Sequence, residues 1–125
     1  MKVEEYIPRF YPIKPWNETR SFYSDLIDNH NFELTPMLDL VDYIIKSKIS
    51  DRVFGTISNH TMLTMSIYEK IELGREMLRI YFDSTEKKWF YKYYSRPDKL
   101  IQFEREYDKE LGIEKFNQFI SFVKW

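Results

Sequence analysis

The spacing of apolar residues changes near residue 52: before it they recur every three or four residues, and after it they alternate with polar ones. In ETRSFYSDLID, Phe22, Tyr23, Leu26 and Ile27 share one stripe. This predicts a helix over about residues 18–28, with Asn17 as N-cap and Glu18 facing the helix dipole. TPMLDLVDYIIKS predicts a second helix capped by Thr35. Pro36 sits at its first position, where a missing N–H removes no hydrogen bond. Met37, Leu40, Val41, Ile44 and Ile45 form its apolar stripe.

Four alternating runs follow: RVFGTIS, TMLTMSIY, MLRIYF and KWFYKYY. SNHT and DSTEKK are polar reversals of hairpin length, so the runs read as an antiparallel meander. EKIELGRE is less regular; Ile71 and Leu73 extend a strand, with Gly74 at a turn or bulge. The tail from residue 100 returns to helical spacing through Ile113, Phe116, Phe119, Ile120 and Val123, with Gly112 as an interruption. Within it, EREYDKE reads as i,i+4 charge pairing on an exposed helix.

The expected fold is therefore an α+β two-layer sandwich, a four-stranded antiparallel meander with helices on one face, in the order α-α-β-β-β-β-α. A chain of 125 residues fits one domain over 1–125. Pro8, Pro12 and Pro15 make residues 1–16 an extended arm, laid on the domain through Tyr6, Phe10 and Trp16.

Parity then sorts the strands. With Leu63, Met65, Ile67, Leu78, Ile80 and Phe82 facing the helices, the open side carries Phe54, Thr56, Ser58, Met62, Thr64, Ser66, Tyr68, Met77, Arg79 and Tyr81. In KKWFYKYY the lysines decide: Trp89, Tyr91 and Tyr93 go inward, while Lys88, Phe90, Lys92 and Tyr94 go outward, because unpaired charges are not buried. Phe54, Tyr68, Tyr81, Phe90 and Tyr94 with Arg79, Lys88 and Lys92 are thus candidate partner-binding residues. Aromatics and arginine concentrate in protein–protein hot spots, and the same groups serve as platforms for unstacked bases.

Composition and charge narrow the chemistry. The formal net charge of -1 provides no long-range attraction for nucleic acid or an anionic membrane. Residues 18–42 hold six carboxylates, Glu18, Asp25, Asp28, Glu33, Asp39 and Asp42, against Arg20 alone. Asp25, Asp28, Asp39 and Asp42 are therefore candidate contacts for a basic protein, although a solvated helix face is the simpler account of such residues. The absence of Cys excludes disulfides and thiolate metal centres within these residues. His30 and His60 both fall in polar connections, and Asp28 with His30 is too few ligands for a metal site. Gly55, Gly74 and Gly112 are isolated, so no phosphate-cradling loop is present.

Neither a metal nor a cofactor is expected. The first residues, MKVEEYIPRFYPIKPW, lack the apolar core of a signal peptide, and no run approaches the ~20 apolar residues needed to span a bilayer. A cytoplasmic, non-membrane protein is expected. The leading expectation is a small non-catalytic protein-binding domain, an inhibitory or toxin-neutralising partner of another protein. Single-stranded nucleic-acid binding on the aromatic and basic face is the first alternative. A small cofactor-independent enzyme using His30 or His60 is the second, and a homo-oligomer or the arm covering the open face would be a purely structural use of it.

Overall fold

A computed structural model describes residues 10–58, 60–69, 71–72, 76–95 and 103–125, with the side chains of 10, 11 and 72 left aside. The elements run β1 (Phe10–Tyr11), α1 (Trp16–His30), α2 (Thr35–Lys46), β2 (Phe54–Ser58), β3 (Met62–Ser66), β4 (Ile71–Glu72), β5 (Met77–Asp83), β6 (Lys88–Tyr94), β7 (Phe103–Asp108) and α3 (Gly112–Val123). Short 3-10 turns precede β2 and α3. The main sheet is five-stranded and antiparallel, in the order β2-β3-β5-β6-β7, and β1 pairs separately with β4. The arm expected over 1–16 is described only from residue 10, and Tyr6 and Pro8 lie outside the described residues, as do Leu73 and Gly74.

The four-stranded meander is thus corrected to five strands, because FEREYD is a strand and not the start of the last helix. Phe103 and Tyr107 are four residues apart, a spacing that one helical turn and two strand repeats satisfy equally well. The intervening residues settle it: Arg105 shares their side, while Glu104, Glu106 and Asp108 take the other. The carboxylates pair across strands with lysines of β6, not along a helix.

Both predicted N-caps are also displaced toward the N-terminus, by two residues in α1 and by one in α2. The Pro15 carbonyl accepts the amides of Glu18 and Thr19 at 2.9 and 3.0 Å, so Asn17 lies inside the first turn of α1. Trp16 accounts for the earlier start: its ring lies against Gly55, its Nε1 donates to the Val53 carbonyl at 3.1 Å, and Lys14 N donates to the Gly55 carbonyl at 2.9 Å. In α2 the cap is Leu34, and Thr35 is already helical, with Pro36 still in the first turn. At the other end of α1, Asn31 adopts the left-handed conformation (φ 57°), and Phe32 N returns to the Leu26 carbonyl, the usual close of a helix before a reversal.

The core lies between the helices and one sheet face. Tyr23, Met37, Leu40, Val41, Ile44, Leu63, Met65, Leu78, Ile80, Tyr91 and Phe116 are completely buried there. Trp89, Tyr91 and Tyr93 point inward, as their alternation with lysine predicts. Each inward ring also satisfies its polar atom: Trp89 Nε1 donates to the Lys109 carbonyl at 2.9 Å and Tyr91 Oη to the Gly112 carbonyl at 2.6 Å. Tyr93 Oη donates to Glu76. The first two bonds tie β6 to the turn that starts α3, and the third ties it to the residue before β5. A large ring is therefore buried without an orphaned donor.

Candidate functional site

Register fixes what the outer sheet face presents. Thr56, Thr64, Arg79, Lys92 and Glu104 lie in one row across the five strands. In the next row Tyr81, Phe90 and Glu106 are neighbours, followed by Asp83, Lys88 and Asp108. The face is not uniformly open. Thr56, Ser58, Thr64, Ser66 and Met77 were expected outside but are buried. Ser58 and Thr64 share a 2.8 Å hydroxyl bond, and Ser66 Oγ donates to the Glu76 carbonyl at 2.6 Å. Met77 and Ile71 are likewise buried yet stand outside the helix-side core. The β2–β3 half of this face is thus a second, smaller interior.

The exposed remainder is built on β5, β6 and β7. The Tyr81 and Phe90 rings stack with centroids 4.9 Å apart and planes within 9°. The Arg79 guanidinium lies 5.5 Å over the Tyr94 ring, and its Nε is buried without a hydrogen-bond partner among the described residues. Lys88 Nζ bonds Glu106 at 3.1 Å, and Lys92 stands 3.9 Å from Glu104. The Glu106 hydrogen bond holds the Lys88 ammonium above its ordinary pKa. Partial burial, then Asp83 and Glu104, raises the Tyr81 phenol in the same way, so the ring stays neutral.

Of the residues singled out in the sequence, Arg79, Tyr81, Lys88, Phe90, Lys92 and Tyr94 therefore come together on β5 and β6. Phe54 stands apart on β2 opposite Ser66, and Tyr68 is half-buried just after β3. The acidic residues are on the other layer. Asp42 pairs with Arg20 at 2.5 Å, bridging α2 and α1, while Asp25 accepts from Asn29 and Asp28 from Ser24 along α1. Asp39 is exposed on α2. Sheet aromatics and the carboxylates of α1 and α2 thus lie on different layers, and Tyr81 shares a cleft with Glu33 of the α1–α2 connection.

The sequence reading missed the acids of β7. Three cations, Arg79, Lys88 and Lys92, share the outer rows with four carboxylates, Asp83, Glu104, Glu106 and Asp108. The expected basic face is neutral to slightly acidic. The alternation in FEREYD was the available signal, obscured by charges that fit a helix as well.

A cleft of about 360 Å³ opens where the α1–α2 connection meets the β5–β6 hairpin. Phe32, Glu33, Pro36, Phe82, Lys87 and Lys109 line it, and Phe32 is 45% exposed. Neither imidazole lines it. His30 ends α1 beside Asp25 at 3.5 Å, and His60 occupies the left-handed position of the β2–β3 turn (φ 73°). Among the described residues no group of three or more His, Asp or Glu side chains could hold a metal ion, and no helix is long and apolar enough to cross a membrane. Comparison with protein-family models, curated proteins and solved structures found no match.

Proposed function

We propose that the chain is a small non-catalytic protein-binding domain whose contact centre is the Tyr81–Phe90 stack, and that it acts as an inhibitory, toxin-neutralising partner. The observation that carries this reading is the pairing around the stack. Two half-exposed rings are fixed face to face, and the lysines beside them are already engaged by Glu104 and Glu106. Preorganised rings with polar neighbours suit the centre of a protein interface, where aromatic anchors supply most of the binding energy. A phosphate backbone needs uncommitted cations, and here each lysine has a carboxylate beside it. The carboxylate excess over residues 18–42 adds long-range attraction for a basic partner.

The test is affinity capture from native lysate with wild type and Phe90→Ala, alongside titration of both with single-stranded RNA at low salt. A distinct protein should be recovered with wild type. Its affinity should fall by about thirtyfold with Phe90→Ala, as for a hot-spot ring. Recovery of the chain alone, or equal capture by the variant, would sink this reading; salt-sensitive RNA binding lost with Phe90→Ala would replace it.

A further inference from the structure

Resting on the protein-binding reading, we propose that the outer edge of β7 takes up an extended segment of the partner as a sixth strand, and that this segment carries lysine or arginine at alternate positions.

The backbone makes the first half of the case. β7 ends the order of the sheet, and among the described residues no strand pairs with its outer edge. An antiparallel edge strand presents the N–H and C=O of alternate residues to whatever lies beside it, a template for strand addition. The opposite edge differs: at β2 the Lys14 amide already bonds the Gly55 carbonyl. At β7 the cover is a side chain. Arg105 turns its Nη1 to the Glu104 carbonyl at 2.8 Å and lies 4.7 Å over the Phe103 ring.

Side chains select the occupant. Glu104, Glu106 and Asp108 line the outward side of β7, and the two glutamate side chains are 58% and 55% exposed. Each glutamate meets one lysine from β6, yet a carboxylate has about four acceptor positions, so its solvent side can take a second cation. A strand added at this edge places every second residue beside these carboxylates. Its intervening residues fall beside Phe103, Arg105 and Tyr107, where apolar side chains extend the core.

A second copy of this chain is the wrong occupant. Two β7 strands meeting about a two-fold axis must match residues of one parity, as opposite residues share a face. One such register sets Glu104 against Glu106 and Arg105 against itself; the next sets Glu106 against itself and Glu104 against Asp108. Like charges directly opposite are destabilising in either case. The edge thus rejects its own kind and accepts an alternating basic strand.

The test uses the full chain and two hexapeptide probes, one alternating lysine with valine and one alternating glutamate with valine, followed by amide resonances at low salt. The lysine probe should shift the amides of 103–108 and the glutamate probe should not. Methylating the probe's backbone nitrogens should abolish binding, because strand addition needs those N–H groups. In Glu104→Lys/Glu106→Lys, the lysine probe should weaken about tenfold or more and the glutamate probe should now bind. If that variant misfolds, the methylated probe still decides, since it is used on unaltered protein. Shifts confined to α1 and α2, equal binding of the methylated probe, or protection from exchange, in the free chain, of the β7 amides that do not pair with β6 would each overturn the proposal. Phe90-dependent capture can survive any of those outcomes, so failure at the edge is distinguishable from failure of the protein-binding reading.

Discussion

Gly112 shows how one residue is chosen by its neighbour. Its backbone is ordinary helix (φ -55°), so no special conformation demands glycine. A Cβ there would lie 2.3 Å from Cε2 and Nε1 of Trp89. The missing side chain is what admits the indole, which then bonds the Lys109 carbonyl, and lets Tyr91 reach the Gly112 carbonyl. Gly112→Ala should therefore destabilise the fold by about 1–3 kcal/mol, as overpacking of a rigid ring does. Chemical denaturation followed by Trp fluorescence would check this; unchanged stability would mean that the indole has room to shift. In the sequence the same glycine reads only as a break in a helical pattern. The ring it accommodates lies 23 residues earlier, a proximity that no local spacing encodes.

Between elements, Glu76 is the comparable joint. Its carboxylate accepts from Tyr93 on β6 and, at 3.1 Å, from the Trp125 indole beyond α3, while its carbonyl accepts from Ser66 on β3. Arg52 in turn bonds the Trp125 carbonyl at 3.0 Å. Glu76→Ala would strand two largely buried donors, and we expect a loss of about 1–3 kcal/mol in stability, together with a changed near-ultraviolet signal from Trp125. Denaturant titration of the variant measures the first and circular dichroism the second; loss of neither would show that water replaces the carboxylate. Strand β6 was legible because lysine alternates with rings, so only one facing avoids buried charge. Strand β7 was not, because a spacing of four fits both periods and its acids have lysine partners on a neighbouring strand, absent from any local window.

At the scale of the whole molecule, the aromatic content becomes a pH property. Tyr23, Tyr81, Tyr91, Tyr93 and Tyr107 all have phenols raised above the ordinary value of 10.0, burial being the largest cause in each. A folded pKa above the unfolded one means stability that is complete below pH 10.0 and lost as pH rises through the folded values. Phenolate absorbance should therefore show the buried Tyr23, Tyr91 and Tyr93 ionising only together with alkaline unfolding. Smooth ionisation of all ten tyrosines with the fold intact would contradict the burial described. The layers also decide the charge layout, with carboxylates of α1 and α2 on one side and the mixed rows of β5, β6 and β7 on the other. Aromatic and acidic candidates that read as one list thus belong to different layers.

By itself the sequence determined the class of fold, the first two helices, the hairpin strands and the inward facing of Trp89, Tyr91 and Tyr93, since local period and the cost of burying charge decide each. Only the tertiary structure decided the fifth strand, the early start of α1 on Gly55, the burial of Thr56, Ser58, Thr64 and Ser66, and the pairing of Lys88 and Lys92. Each depends on contacts between residues distant in the chain, where hydrogen bonding and packing override a local pattern that two structures satisfy equally.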